Sequence, residues 1–138
     1  MKLRRNAKLA LLRSVPLFSE CSQKELGRIA TLSDEIYQPV GTRLIDEGTK
    51  GREFFVLVEG TVDVRRGDHR LPPLGSGDFF GEIALVSDIP RSASVVATSP
   101  VRLLVIAGRS FQRLLEEMPS IRGKVLQALA QRLPPTAY

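Results

Sequence analysis

Residues 54–64 read Phe54-Phe55-Val56-Leu57-Val58-Glu59-Gly60-Thr61-Val62-Asp63-Val64. An apolar run of strand length is broken by a turn residue and followed by a run that alternates apolar and polar. The first run is too short for a helix, and the second has the period of a strand with one buried face. The same texture extends outward from Asp34 to Ala107. Ile36-Tyr37, Leu44-Ile45, Ser94 to Ala97 and Val101 to Ile106 supply further short runs. Between them stand Pro39-Val40-Gly41, Gly48, Gly51, Gly67-Asp68, Pro72-Pro73, Gly75, Gly77 and Ser99-Pro100, all turn chemistry. Most of these strands have no room for a helix between them, which excludes parallel βαβ winding. The pattern predicts a mainly β chain, an antiparallel roll or barrel of the jelly-roll kind.

Both flanks are helical. Leu3, Ala7, Ala10 and Leu11 recur at helical spacing until Ser14-Val15-Pro16 breaks them. Ser22 followed by Glu25 has the spacing of a capping box, and Leu26, Ile29 and Ala30 form the apolar stripe behind it. After the strands, Phe111, Leu114, Leu115 and Met118 make one stripe, and Ile121, Val125, Ala128, Leu129 and Leu133 a second. Pro119 separates the two. The expected organisation is a single domain over 1–138: N-terminal helices at 1–33, the roll at 34–107 and C-terminal helices at 109–133.

With 43% hydrophobic and 25% charged residues, the chain has the composition of a folded soluble domain rather than a disordered one. It has no apolar stretch of the ~18 residues that cross a bilayer. The apolar run Leu9 to Leu12 behind Lys2, Arg4 and Arg5 is too short for a secretory signal, and Arg13 ends it. A single cysteine, Cys21, rules out an intrachain disulfide and a cysteine-rich zinc site, so a cytoplasmic setting is expected. The net charge of +5 comes from residues 1–13, where Lys2, Arg4, Arg5, Lys8 and Arg13 meet no acid. The rest balances. A basic leader can meet an acidic partner, nucleic acid or anionic lipid, or simply be a solvated and partly frayed helix.

One stretch interrupts the β texture: Asp78-Phe79-Phe80-Gly81-Glu82-Ile83-Ala84-Leu85-Val86-Ser87-Asp88-Ile89-Pro90-Arg91-Ser92-Ala93-Ser94-Val95. Glu82 to Val86 predict a helical turn or two, which costs a small β domain part of its ladder and asks for a reason. Gly81 lets backbone approach a ligand closely. The N–H groups at a helix start favour an anion. Arg91, stiffened by Pro90, offers a planar fork for two phosphate oxygens. Glu82 would repel a phosphate but accept from a ribose hydroxyl. Carboxylate for sugar beside guanidinium and amides for phosphate describes a nucleotide whose phosphate lies close to its own sugar.

Here the sequence resembles the cyclic nucleotide-binding domain family, whose phosphate-binding cassette reads Phe-Gly-Glu-aliphatic-Ala-Leu, a short spacer, then Pro-Arg-Ser/Thr/Ala-Ala. Phe80-Gly81-Glu82-Ile83-Ala84-Leu85 and Pro90-Arg91-Ser92-Ala93 match it throughout. Phe55 to Gly60 and Gly75-Ser76-Gly77-Asp78 extend the likeness to about residues 14–133. The resemblance implies an eight-stranded β-roll holding the cassette (80–93), a short phosphate-binding helix, and C-terminal helices that close as a lid. It implies that Arg91 and the amides around Ile83 and Ala84 hold the cyclic phosphate, and that Glu82 and Gly81 hold the ribose 2′-hydroxyl. Ser92 would add a hydroxyl to phosphate or base, and Val64 would pack against sugar and base. Phe80 belongs to the ligand-binding set, and Arg132, late in the lid helix, is the candidate base contact.

The implied ligand is cAMP, with cGMP also permitted by Ser92, and no cofactor. A downstream protein partner is expected but not named by the residues; the chain would be a monomer or weak dimer. Direct DNA binding is not expected, because only Pro134 to Tyr138 follow the lid helix, too few for a helix-turn-helix. Rival readings are a ligand-free interaction module on the same fold, or a regulatory fragment of a larger channel or transcription regulator. A structural Arg91–Glu82 pair that only plugs the roll would leave Gly81, Ala84 and Ser92 without a purpose. An enzyme finds no support. Gly75-Ser76-Gly77 lacks the spacing of a dinucleotide fingerprint, Gly48-Thr49-Lys50 lacks a Walker loop, and the lone His69 sits beside a turn. No catalytic or metal-ligating set can be assembled.

Overall fold

A computed structural model describes residues 5–81 and 90–132. The chain opens with α1 (Arg5–Ser14), a 3-10 turn (Pro16–Phe18) and α2 (Gln23–Leu32). The strands are β1 (Ser33–Gln38), β2 (Arg43–Ile45), β3 (Glu53–Glu59), β4 (Val62–Arg66), β5 (His69–Leu74), β6 (Phe79–Phe80), β7 (Ser94–Ala97) and β8 (Val101–Ala107). Helices α3 (Gly108–Glu117) and α4 (Pro119–Arg132) follow. The eight strands form two four-stranded antiparallel sheets, ordered β1-β8-β3-β6 and β2-β7-β4-β5.

The first sheet is buried on both faces. Phe54, Val56 and Val58 of β3 and Leu104 and Ile106 of β8 point into a core shared with the helices. Phe55, Leu57, Leu103 and Val105, their alternates, point into a second core between the sheets. This explains why β3 reads as an unbroken apolar run: strand alternation shows in the sequence only where one face meets water. Aromatic stacking marks both cores. Phe54 stacks on Phe111 of α3 at a centroid distance of 4.1 Å, and Phe55 on Phe80 at 4.9 Å.

Two strands escape the sequence reading. Pro72 and Pro73, expected as turn residues, lie within β5, which is the edge strand of its sheet. Proline has no N–H for a ladder, and an edge strand needs donors on one side only. The pairing with β4 shifts register between Val62 and Val64, where the prolines pass. The two-residue β6 sits at the start of the interruption and pairs Phe80 with Phe55 and Phe79 with Val56. The helical turn expected at Glu82–Val86 lies outside the described residues.

The capping box forms as expected. The Glu25 amide donates to Ser22 Oγ at 3.1 Å, and the Ser22 amide to Glu25 Oε1 at 2.8 Å. Leu26, Ile29 and Ala30 then bury against the first sheet with Phe111, Leu114, Ile121 and Val125. Polar ties fasten this layer. Lys8 Nζ donates to the Ala30 and Ser33 carbonyls, both at 2.7 Å, capping the last turn of α2. Arg28 pairs with Glu117 at 2.7 Å, and Lys124 Nζ donates to Ser19 Oγ at 3.0 Å. The early part of α4 is thus core packing. Ile121 and Val125 are 0% and 1% exposed against the N-terminal helices.

Candidate ligand-binding site

Gly81 directly follows β6 and lies beside the start of β3. Its φ of +95° belongs to the left-handed region that side chains with a Cβ rarely adopt. Space is short as well: a Cβ here would stand 2.8 Å from the Glu53 carbonyl oxygen and 3.0 Å from Arg91 Nη1. Gly81 is therefore required by conformation and by crowding together.

The crowding atom belongs to the arginine singled out above. Arg91 is only 7% exposed. Its Nη1 donates to the Gly81 carbonyl at 2.8 Å and its Nη2 to the Glu53 carbonyl at 2.7 Å. Two acceptors, one at the start of β3 and one just past β6, fix both the position and the plane of the guanidinium. Its backbone is held as firmly, because the Arg91 amide donates to the Thr49 carbonyl at 2.7 Å and the Gly48 amide to the Arg91 carbonyl at 2.8 Å. The two carbonyls orient the planar fork, the group best suited to hold two oxygens of an anion.

Ser92 follows, partly exposed, and its carbonyl accepts from Arg66 Nε at 3.2 Å. Val64 lies across the β4–β7 ladder from Val95 and packs, half-buried, on the inter-sheet core. Gly81 and Arg91 are thus in direct contact, with Ser92 next in the chain, while Val64 lies on β4 opposite Val95 of β7. Phe80 is adjacent but is 4% exposed and stacked on Phe55, so its ring is engaged in packing. Glu82, Ile83 and Ala84 lie outside the described residues. Arg132 closes α4, and its side chain is likewise outside them. His69 is exposed at the tip of the β4–β5 hairpin. Among the described residues no cluster of His, Cys, Asp or Glu could hold a metal ion.

Sequence reasoning missed the supports of Arg91: the Glu53 carbonyl, Gly48 and Thr49, and Arg66. The first three act through backbone atoms, which any residue type supplies, so no side-chain motif announces them. Arg66 lies two residues beyond the run that ends at Val64 and belongs to no motif.

A buried guanidinium against a left-handed glycine, inside the Phe80 to Ala93 motif, agrees with the sequence model of the cyclic nucleotide-binding domain, which matches residues 36–118. The chain belongs to the cyclic nucleotide-binding domain family. The cAMP-dependent protein kinase regulatory subunit of Colletotrichum orbiculare is 40% identical over 113 residues, 80% of this chain and 29% of that protein. The regulatory domain of Toxoplasma gondii PKA, solved with cAMP, shares the fold at a TM-score of 0.85 and 24% identity, over 93% of this chain and 50% of that one. The regulatory subunit of a cAMP-independent protein kinase A from Trypanosoma brucei is similar at a TM-score of 0.83 and 25% identity, over 94% of this chain and 48% of that one. This family member spans less than a third of the length of the first curated relatives it matches. Those relatives are regulatory subunits of a kinase, and no helix among the described residues is long and apolar enough to cross a membrane.

Proposed function

We propose that the chain binds a 3′,5′-cyclic nucleotide, cAMP before cGMP, at the Gly81–Arg91 end of the roll, and reports occupancy without catalysing a reaction. The observation that carries this is the Arg91 fork, buried and aimed by the Gly81 and Glu53 carbonyls. A singly charged cyclic phosphate fits a single fixed guanidinium and the amides expected at Ile83 and Ala84. Glu82 takes the ribose 2′-hydroxyl, Ser92 adds a hydroxyl, and Val64 supplies an apolar wall for sugar and base. The kinship with regulatory subunits of cAMP-dependent kinases supports cAMP as the ligand and a protein kinase as the downstream partner.

Occupancy would be read by α4. Ile121 and Val125 anchor its first half to the N-terminal helices, so the movable part is the second half, ending at Arg132, the proposed base contact. Signal then travels as a difference in affinity between two positions of that segment.

The cAMP-independent neighbour favours a second reading, the same fold with a different ligand or none. Thermal unfolding of nucleotide-free protein with added cAMP or cGMP separates the two. Ligand that binds only the folded state raises the midpoint by mass action. A midpoint unmoved by millimolar amounts of either nucleotide supports the second reading.

A further inference from the structure

The β4–β5 hairpin is tied to the arginine segment from across the sheet. Val62 and Val64 face the inter-sheet core, and strand alternation puts Arg66 on the same face, at the end of β4. Its Nε donates to the Ser92 carbonyl at 3.2 Å. One residue on, the Gly67 amide donates to Glu47 Oε1 at 2.7 Å, while the Glu47 amide donates to Ser94 Oγ at 2.9 Å. The hairpin tip, the loop after β2 and the segment Arg91 to Ser94 therefore form one closed hydrogen-bonded ring. Arg91 is gripped from the loop side through Gly48 and Thr49, and its successor is gripped from the hairpin side by Arg66.

We infer that Arg66 is a positioning residue for the site, holding the Ser92 carbonyl, one residue past Arg91, so that the Arg91 guanidinium stays aimed by the Gly81 and Glu53 carbonyls. A carbonyl carrying a charge-assisted hydrogen bond is a stiffer anchor than one left to water. Ordering this segment in advance reduces what ligand binding must fix, so the effect appears in affinity. The inference deepens the proposed cyclic nucleotide site and, for its affinity readout, rests on it.

The test pairs a readout without nucleotide with one using cAMP, on the full chain. In nucleotide-free Arg66→Ala, amide hydrogen exchange at Arg91 should accelerate about 10-fold, the loss of one charge-assisted hydrogen bond, with exchange at Phe55 and Leu57 of β3 unchanged. Arg66→Lys, which keeps a cationic donor of similar reach, should recover most of the protection. Unchanged exchange at Arg91 overturns the inference whether or not the chain binds nucleotide. With cAMP, Arg66→Ala should weaken binding about 5- to 10-fold. Little further loss should follow once Arg91 is alanine, because a positioning effect vanishes with the group it positions. Losses that simply add would mean that Arg66 acts apart from Arg91, and would also overturn it. Wild-type protein that ignores cAMP refutes the proposed function instead.

Discussion

Nη1 of Arg91 lies 2.8 Å from the carbonyl oxygen of Gly81, and this bond closes the two ends of the motif onto each other across ten residues. Glycine and arginine are needed for the same reason. The left-handed turn at Gly81 presents its carbonyl to the guanidinium, and the guanidinium occupies the space in which a Cβ would stand.

Gly81→Ala should therefore strike the site more than the fold. The positive φ and the clash with the Glu53 carbonyl strain the backbone by about 1–3 kcal/mol, and the 3.0 Å approach to Arg91 Nη1 is relieved by moving the arginine out of line. The expected result is cAMP affinity lowered about 10-fold or more, with near-ultraviolet circular dichroism retained. A variant that binds cAMP as tightly as wild type would show that the Gly81–Arg91 geometry does not set affinity.

On the proposed reading, the C-terminal helix divides into a buried anchor and a segment that closes over the ligand. Ile121→Ala, at a fully buried position, should cost about 2–5 kcal/mol in urea unfolding. Removing residues 127–138 spares both Ile121 and Val125. That truncation should stay folded and release a fluorescent cAMP analogue faster, with association little changed, because an open pocket admits ligand but retains it poorly. An unchanged release rate in the folded truncation would rule out closure by this segment.

Asp63 makes an acid-side prediction. Hydrogen bonds from Arg65 Nε at 3.0 Å and Arg70 Nε at 2.8 Å hold its carboxyl below the ordinary aspartate value of 3.8. The folded state thus binds this proton less readily than the unfolded state. The stability contributed is complete above pH 3.8 and is lost as pH falls through the depressed value. Asp63→Asn should be less stable than wild type at neutral pH, and the gap should close below pH 3.8. Both arginines are more than half exposed, so the gap should also shrink in high salt. Midpoints measured across pH that keep a constant gap would assign the effect to shape rather than charge.

What could be read in the sequence was what side chains alone specify. The Ser22–Glu25 box, the stripes through Leu26 and Phe111, and most strands followed from periodicity and turn residues. The edge strand carrying Pro72 and Pro73 did not, because its tolerance of proline depends on its place in the sheet. Gly81 and Arg91 were legible from chemistry, and the structure brings them into contact. The Glu53 carbonyl and the grip of Gly48 and Thr49 on Arg91 were not legible, since backbone acceptors leave no trace in residue identity. The packing partners of α4 were not legible for a similar reason: the stripe through Ile121 and Val125 shows that this face is buried, but not against what.

The proposed site depends above all on the fixed Arg91 fork holding a cyclic phosphate. Its most direct test is calorimetric titration of cAMP into nucleotide-free wild type and Arg91→Ala at equal concentrations. Wild type should show one saturable site and the variant binding weakened about 10- to 100-fold, the loss of a contact to a full charge at about 1.5–3 kcal/mol. Equal affinities for the two proteins, both folded, would contradict it.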